Sequence, residues 1–156
     1  IGLFLWGANG TGKTHLMTSA FKLLLEEGHS AKVISLSSLI AKFTAGWYDA
    51  TEKRELQDIL KKVEFLGIEE IGKEFRSKNS DLGTVVFDNI LRYRVQMQKP
   101  TWFTSNVNPK NLTANYTEDI TSMLKECCYP LQVLGSDKRD REFKKIKGYF
   151  EDDTAL

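Results

Sequence analysis

A glycine-rich run, Gly7-Ala8-Asn9-Gly10-Thr11-Gly12-Lys13-Thr14, follows directly on the apolar stretch Leu3-Phe4-Leu5-Trp6. This juncture constrains the fold more than any other stretch of the chain. A buried strand has to run straight into a turn of residues without a Cβ, and the turn has to open a helix at Lys13. Glycine lets such a turn take left-handed backbone angles and approach a ligand closely. The turn then aims several N–H groups, with the positive end of a helix dipole, at one point in space. Only an anion as concentrated as a nucleotide polyphosphate uses all of that. Lys13 adds a mobile positive charge toward the terminal phosphates. Thr14 adds a hydroxyl for a magnesium ion bridging phosphate oxygens. The expected nucleotide-binding positions are Gly7, Asn9, Gly10, Thr11, Gly12, Lys13, Thr14 and His15. His15 enters as a first-turn helix residue, not as a catalyst.

A second apolar run, Val63-Glu64-Phe65-Leu66-Gly67-Ile68, ends in Glu69-Glu70. Carboxylates at a strand's end beside a phosphate loop suit a magnesium–nucleotide site: one lies near the metal, the next polarises a water. Glu69 is expected on the metal side with Thr14, and Glu70 on the water side as a catalytic residue. A third run, Pro100-Thr101-Trp102-Phe103-Thr104-Ser105, ends in Asn106. An amide there can orient the attacking water or touch the terminal phosphate. Asn106 also begins the turn Asn106-Val107-Asn108-Pro109, and the two roles are compatible.

Strand and helix alternate along the chain. Strands are expected at Leu3–Trp6, Lys32–Leu36, through Glu69-Glu70, at Thr101–Ser105 and at Leu131–Leu134. The first helix is expected from about Gly12 to Glu27, with Leu16, Ala20, Leu23 and Leu24 on one face and Gly28 as its stop. Ser37 or Ser38 is expected to cap a short helix through Phe43, Thr51 the next helix, Asp81 the helix carrying Val85, Ile90 and Leu91, and Thr117 the one ending near Cys127. Asp137–Lys147 reads as a charged helical tail. The pattern predicts an α/β three-layer sandwich: a five-stranded, mostly parallel sheet with helices on both faces. Ligands bind at the carboxyl ends of such strands, where the glycine loop, Glu69, Glu70 and Asn106 all fall.

At 156 residues the chain is expected to be a single domain. A formal net charge of +1 offers no global field for nucleic acid, so any such contact needs a local patch. No apolar stretch reaches membrane-spanning length and no secretory signal is visible, so no membrane partner is expected. The adjacent pair Cys127-Cys128 suits neither a disulfide framework nor a zinc site and reads as packing in a reducing cytoplasm. The chain opens within its first strand, which suggests a fragment lacking an N-terminal partner-binding region.

These stretches resemble the AAA+ ATPases, and among them the DnaC/DnaI-type helicase loaders and the related IstB-type transposition ATPases. Leu3–Leu16, Leu66–Glu74, Pro100–Asn106 and Val133–Arg139 carry the resemblance, with Glu70-Ile71-Gly72 and Gly135-Ser136-Asp137-Lys138-Arg139 narrowing it to the loaders. It implies a phosphate-loop AAA+ core without a C-terminal lid domain that binds ATP with magnesium, holds single-stranded DNA and assists loading of a replicative helicase. It further implies self-assembly into a spiral or ring in a bacterial cytoplasm, with a phage origin among the readings. Arg139 matches the family's cis arginine near the terminal phosphate. The helical insertion after the second strand would face DNA, with Lys42, Phe43 and Trp47 as contacts, although Phe43 and Trp47 also suit the core. Lys73 and Arg76 form a second candidate DNA patch.

The chain departs from the family at two internal points. The metal-side acid is usually aspartate and here is Glu69. Met123 stands where an arginine is usually donated across a subunit interface, and Lys125 lacks the planar fork to replace it. Both departures imply slow hydrolysis. The alternatives to a loader are an IstB-type transposition ATPase with a transposase as partner, and a catalytically weakened ATP-binding adaptor or inhibitor.

Overall fold

The structure is a computed structural model that describes residues 1–72 and 80–138. It contains strands β1 (Gly2–Trp6), β2 (Ala31–Ser35), β3 (Phe65–Ile71), β4 (Thr101–Ser105) and β5 (Cys128–Gln132). Between them lie helices α1 (Lys13–Glu26), α2 (Leu36–Ala45), α3 (Ala50–Lys61), α4 (Ser80–Gln96) and α5 (Glu118–Cys127), with a 3-10 helix at Pro109–Ala114. The strands form one five-stranded sheet in the order β2-β3-β4-β1-β5, and every described pairing is parallel. Lys73 and Arg76, expected at a DNA patch, and Arg139, expected at the terminal phosphate, lie outside the described residues.

The two faces of the sheet are covered unequally. On one, Met17 and Phe21 of α1 pack on Leu5, with Val33 and Trp102 against them. On the other, α2, α3, α4 and α5 bury Phe4, Ile68 and Phe103 beneath Leu36, Leu56, Phe87, Leu91 and Leu124. Gly67 marks the α1 face, because a Cβ there would meet Met17 Sδ at 2.9 Å.

The inward face of α1 differs from the expected one. Lys13, Met17 and Phe21 are buried, whereas Leu16 and Leu23 are exposed. The cause is phase. Lys13 has to turn into the glycine loop, and residues at i+4 and i+8 then follow it onto the sheet. The caps also shift toward the amino end. Ser35 caps α2 by accepting the Ser38 N–H at 3.1 Å, and Asp49 caps α3 by accepting the Thr51 N–H at 2.7 Å. The cap residue precedes the first helical turn, and the expected serines and threonine lie within it. Thr117 does cap α5.

β5 starts earlier than expected. α5 ends at Cys127, and Cys128 goes straight to extended angles of φ −132 and ψ 140. Pro130 is tolerated because β5 is an edge strand, where a missing N–H costs no ladder bond. Cys127 is half-buried and Cys128 buried, and the Cys128 thiol donates to the Thr101 carbonyl at 3.5 Å. Among the described residues no helix is long and apolar enough to cross a membrane.

Candidate nucleotide site

The glycine loop lies at the carboxyl edge of the sheet, between the end of β1 and the start of α1. Gly10 and Gly12 have φ of 72 and 96, left-handed angles that a Cβ would strain. A Cβ on Gly7 would collide with the Val133 carbonyl oxygen. Thr11 closes the loop internally, its hydroxyl donating to the Ala8 carbonyl at 3.0 Å. Lys13 is folded back onto the loop, its Nζ donating to Gly7 O at 2.8 Å and Ala8 O at 2.6 Å.

Glu69 and Glu70 leave β3 through a bulge. Ile68 pairs with Phe103 and Ile71 with Ser105, so β3 spends one more residue than β4 over this interval. Glu70 takes up the excess at φ 63, an angle uncommon for a side-chain-bearing residue and costing about 1 kcal/mol. Strand β4 holds the bulge in shape: Thr104 Oγ1 accepts the Glu70 N–H at 3.1 Å, and the Ser105 hydroxyl donates to Ile71 O at 2.8 Å. Alternation from Gly67 puts Glu69 on the sheet face that carries α1. Its Oε1 is buried with no hydrogen-bond partner among the described residues.

These elements enclose a cavity of about 660 Å³. Asn9, Gly10, Gly12, Lys13, Thr14, His15, Glu70 and Asn106, all singled out in the sequence, line it. Gly7, Thr11 and Glu69 are not among the lining residues. Thr18, Thr104, Ser105 and Lys138 line it as well and were not foreseen. Thr104 and Ser105 had a signal, being the polar end of an otherwise apolar strand beside Asn106. Lys138 had only an indirect signal, its place beside Arg139 in the stretch Gly135-Ser136-Asp137-Lys138-Arg139.

The α2–α3 insertion departs from a simple basic patch. Lys42 is paired twice with α3, to Glu55 at 2.7 Å and Glu52 at 2.9 Å. The Glu55 and then the Glu52 hydrogen bonds push the Lys42 ammonium up to about 12. Phe43 packs against the core and meets Trp47 edge-to-face at 5.9 Å. Trp47 is 59% exposed and Tyr48 92% exposed. Met123 is partly buried against the core.

A parallel sheet of this order, with a glycine loop, an acidic strand end and an adjacent asparagine at one edge, defines the phosphate-loop ATPase fold of AAA+ type. Residues 2–127 match the bacterial DnaA ATPase domain, and the chain belongs to that family. It is similar to the replicative helicase loader DnaI of Bacillus subtilis, at 28% identity over 116 residues, or 74% of this chain and 36% of that protein. The crystal structure of DnaI matches with a TM-score of 0.71 at 27% identity, covering 88% of this chain and 72% of that one. The crystal structure of the DnaC helicase loader matches with a TM-score of 0.75 at 22% identity, covering 85% and 78%. The chain spans 36% and 40% of the lengths of two curated relatives that it matches.

Proposed function

We propose that this chain is the ATP-binding core of a replicative helicase loader, hydrolysing ATP slowly and holding single-stranded DNA while a helicase is placed on it. The observation that carries the reading is the single cavity joining Lys13 and Thr14 of the glycine loop to Glu70 and Asn106 at the neighbouring strand ends. Family membership and the similarity to a helicase loader support the replicative setting over the transposition one.

The residues present fit a magnesium–nucleotide. Asn9, Gly10, Gly12, Lys13 and Thr14 of the glycine loop line the cavity, so a polyphosphate there would lie against the loop. The partnerless Glu69 Oε1 is an acceptor of the kind a divalent cation satisfies. Among the described residues no three His, Cys, Asp or Glu gather as a metal cage. Magnesium is usually held by one or two protein groups plus phosphates. Thr14 and Glu69 would hold the ion, and Gly7 through His15 the polyphosphate. The ion supplies neutralisation of phosphate charge when bound.

Glu70 then acts as base. It lines the cavity, and its carboxylate would accept a proton from the attacking water. Asn106 orients that water. Arg139 is the candidate for charge on the terminal phosphate. Glu69 in place of a shorter acid, and Met123 packed in the core where a trans arginine would stand, keep turnover low. Those two residues also favour a second reading, an adaptor that binds ATP without hydrolysing it.

DNA is assigned to the α2–α3 insertion. Trp47 offers an exposed aromatic face for a base, with Phe43 packed against it, while Lys42 would have to give up its pairs with Glu52 and Glu55 to reach a phosphate. Lys73 and Arg76 are a second, separate candidate for DNA contact in the loop after the acidic pair. Loading would proceed in a self-assembled spiral or ring with the helicase as partner. Fluorescence anisotropy with a labelled oligothymidylate at low salt tests the DNA assignment. ATP-dependent binding is expected, weakened about tenfold by Trp47→Ala, the scale of one lost base stack. No binding with ATP would remove the loader reading in favour of the adaptor.

A further inference from the structure

The chain leaving β5 runs along the glycine loop as a strap. The Val133 N–H donates to Trp6 O at 2.7 Å, where β1 enters the loop. The Val133 carbonyl occupies the place of a Cβ on Gly7, and the Asp137 carboxylate that of a Cβ on Gly10. The Lys138 N–H donates to Gly10 O at 3.0 Å. Its Nζ lies 3.3 Å from where a Cβ on Gly12 would be. The loop glycines thus admit the strap as well as a ligand. Contact with the strap advances in step with the loop, from Gly7 to Gly12.

We propose that Lys138 is a second cation for the nucleotide's phosphates, delivered by the strap to the mouth of α1; this rests on the reading that the cavity holds a nucleotide. Three observations carry it. Lys138 lines the same cavity as Lys13 and Thr14. Its main chain is pinned to the loop, so the side chain starts from a fixed point and loses less freedom on binding. Its ammonium sits beside Gly12, the N-cap of α1, where helix dipole and backbone N–H groups draw an anion. Among the described residues, two lysines and Glu70 are the charged groups lining the cavity. Lys138 would add to Lys13, the magnesium ion and Arg139 in matching the charge of a polyphosphate. Asp137 packs on Gly10 and is not among the lining residues, whereas Lys138 is.

The test is calorimetric titration of the full chain with magnesium–ATP, using wild type, Lys138→Met, Lys138→Arg and Lys13→Ala. The methionine variant keeps the main-chain bond to Gly10, so the strap stays in place. Lys138→Met is expected to bind about tenfold more weakly, the scale of one charge-assisted contact, and with a shallower salt dependence. Lys138→Arg restores most of the affinity, and Lys13→Ala abolishes binding. Unchanged affinity in Lys138→Met alongside loss in Lys13→Ala overturns the role of Lys138 and leaves the nucleotide site standing. Wild-type affinity in Lys13→Ala overturns the nucleotide site itself.

Discussion

The two edges of the sheet are built on opposite terms. At the carboxyl edge polar groups are kept under tension. Glu69 Oε1 is buried without a partner among the described residues, Glu70 is held at a positive φ, and the Lys13 ammonium rests on two carbonyls of its own loop. At the amino edge the buried Arg94 is fully engaged. Its Nε donates to Thr101 Oγ1 at 2.7 Å, Nη1 to the Leu60 and Val63 carbonyls at 3.2 and 3.0 Å, and Nη2 to those of Glu64 and Pro100 at 2.7 and 2.9 Å. Burial lowers its guanidinium to about 10, still charged at neutral pH. Arg94 ties the end of α3, the entry to β3, α4 and the entry to β4 into one knot. One edge is organised to bind something else, the other to hold the fold.

Two substitutions sharpen the contrast. Glu70→Gln should cut ATP turnover about 100-fold or more, the usual scale for a general base, while leaving ATP affinity and melting temperature in place. A steady-state assay beside a thermal melt separates these effects, and full turnover would remove Glu70 from the base role. Arg94→Met should do the reverse. Five carbonyl and hydroxyl acceptors lose a charged donor, costing about 3 kcal/mol of stability. Its melting temperature should fall by about 10 °C, given roughly 2–4 °C per kcal/mol at this size. Nucleotide affinity of the molecules that remain folded should stay near wild type. A melting point close to wild type would show that the knot is replaceable.

The sequence was legible where the chemistry is local. The step from Leu3-Phe4-Leu5-Trp6 into the glycine loop specifies strand, turn and helix within one stretch. Glu69-Glu70 and Asn106 stand at strand ends that hydrophobic runs mark plainly, and the parallel sheet follows from the alternation. What stayed hidden depends on several segments meeting. Arg94 reads as one more basic residue near the end of α4, because its carbonyl partners come from two separate stretches, 60–64 and Pro100, the first of them about thirty residues away in sequence. The bulge at Glu70 is invisible until β4 is paired with β3. Lys42 looks free for DNA until α3 brings Glu52 and Glu55 beside it. The facing of α1 departs from the stripe its leucines suggest, because the loop, through Lys13, sets the helix's rotation.

The most direct measurement is a crystal structure of the protein with magnesium and a non-hydrolysable ATP analogue. The account predicts polyphosphate density over Gly10–Thr14, the Lys13 ammonium moved off the Gly7 and Ala8 carbonyls onto phosphate, and the ion on the Thr14 hydroxyl with Glu69 Oε1 turned to it. Analogue density elsewhere, or Lys13 unmoved from those carbonyls with the analogue bound, would contradict it.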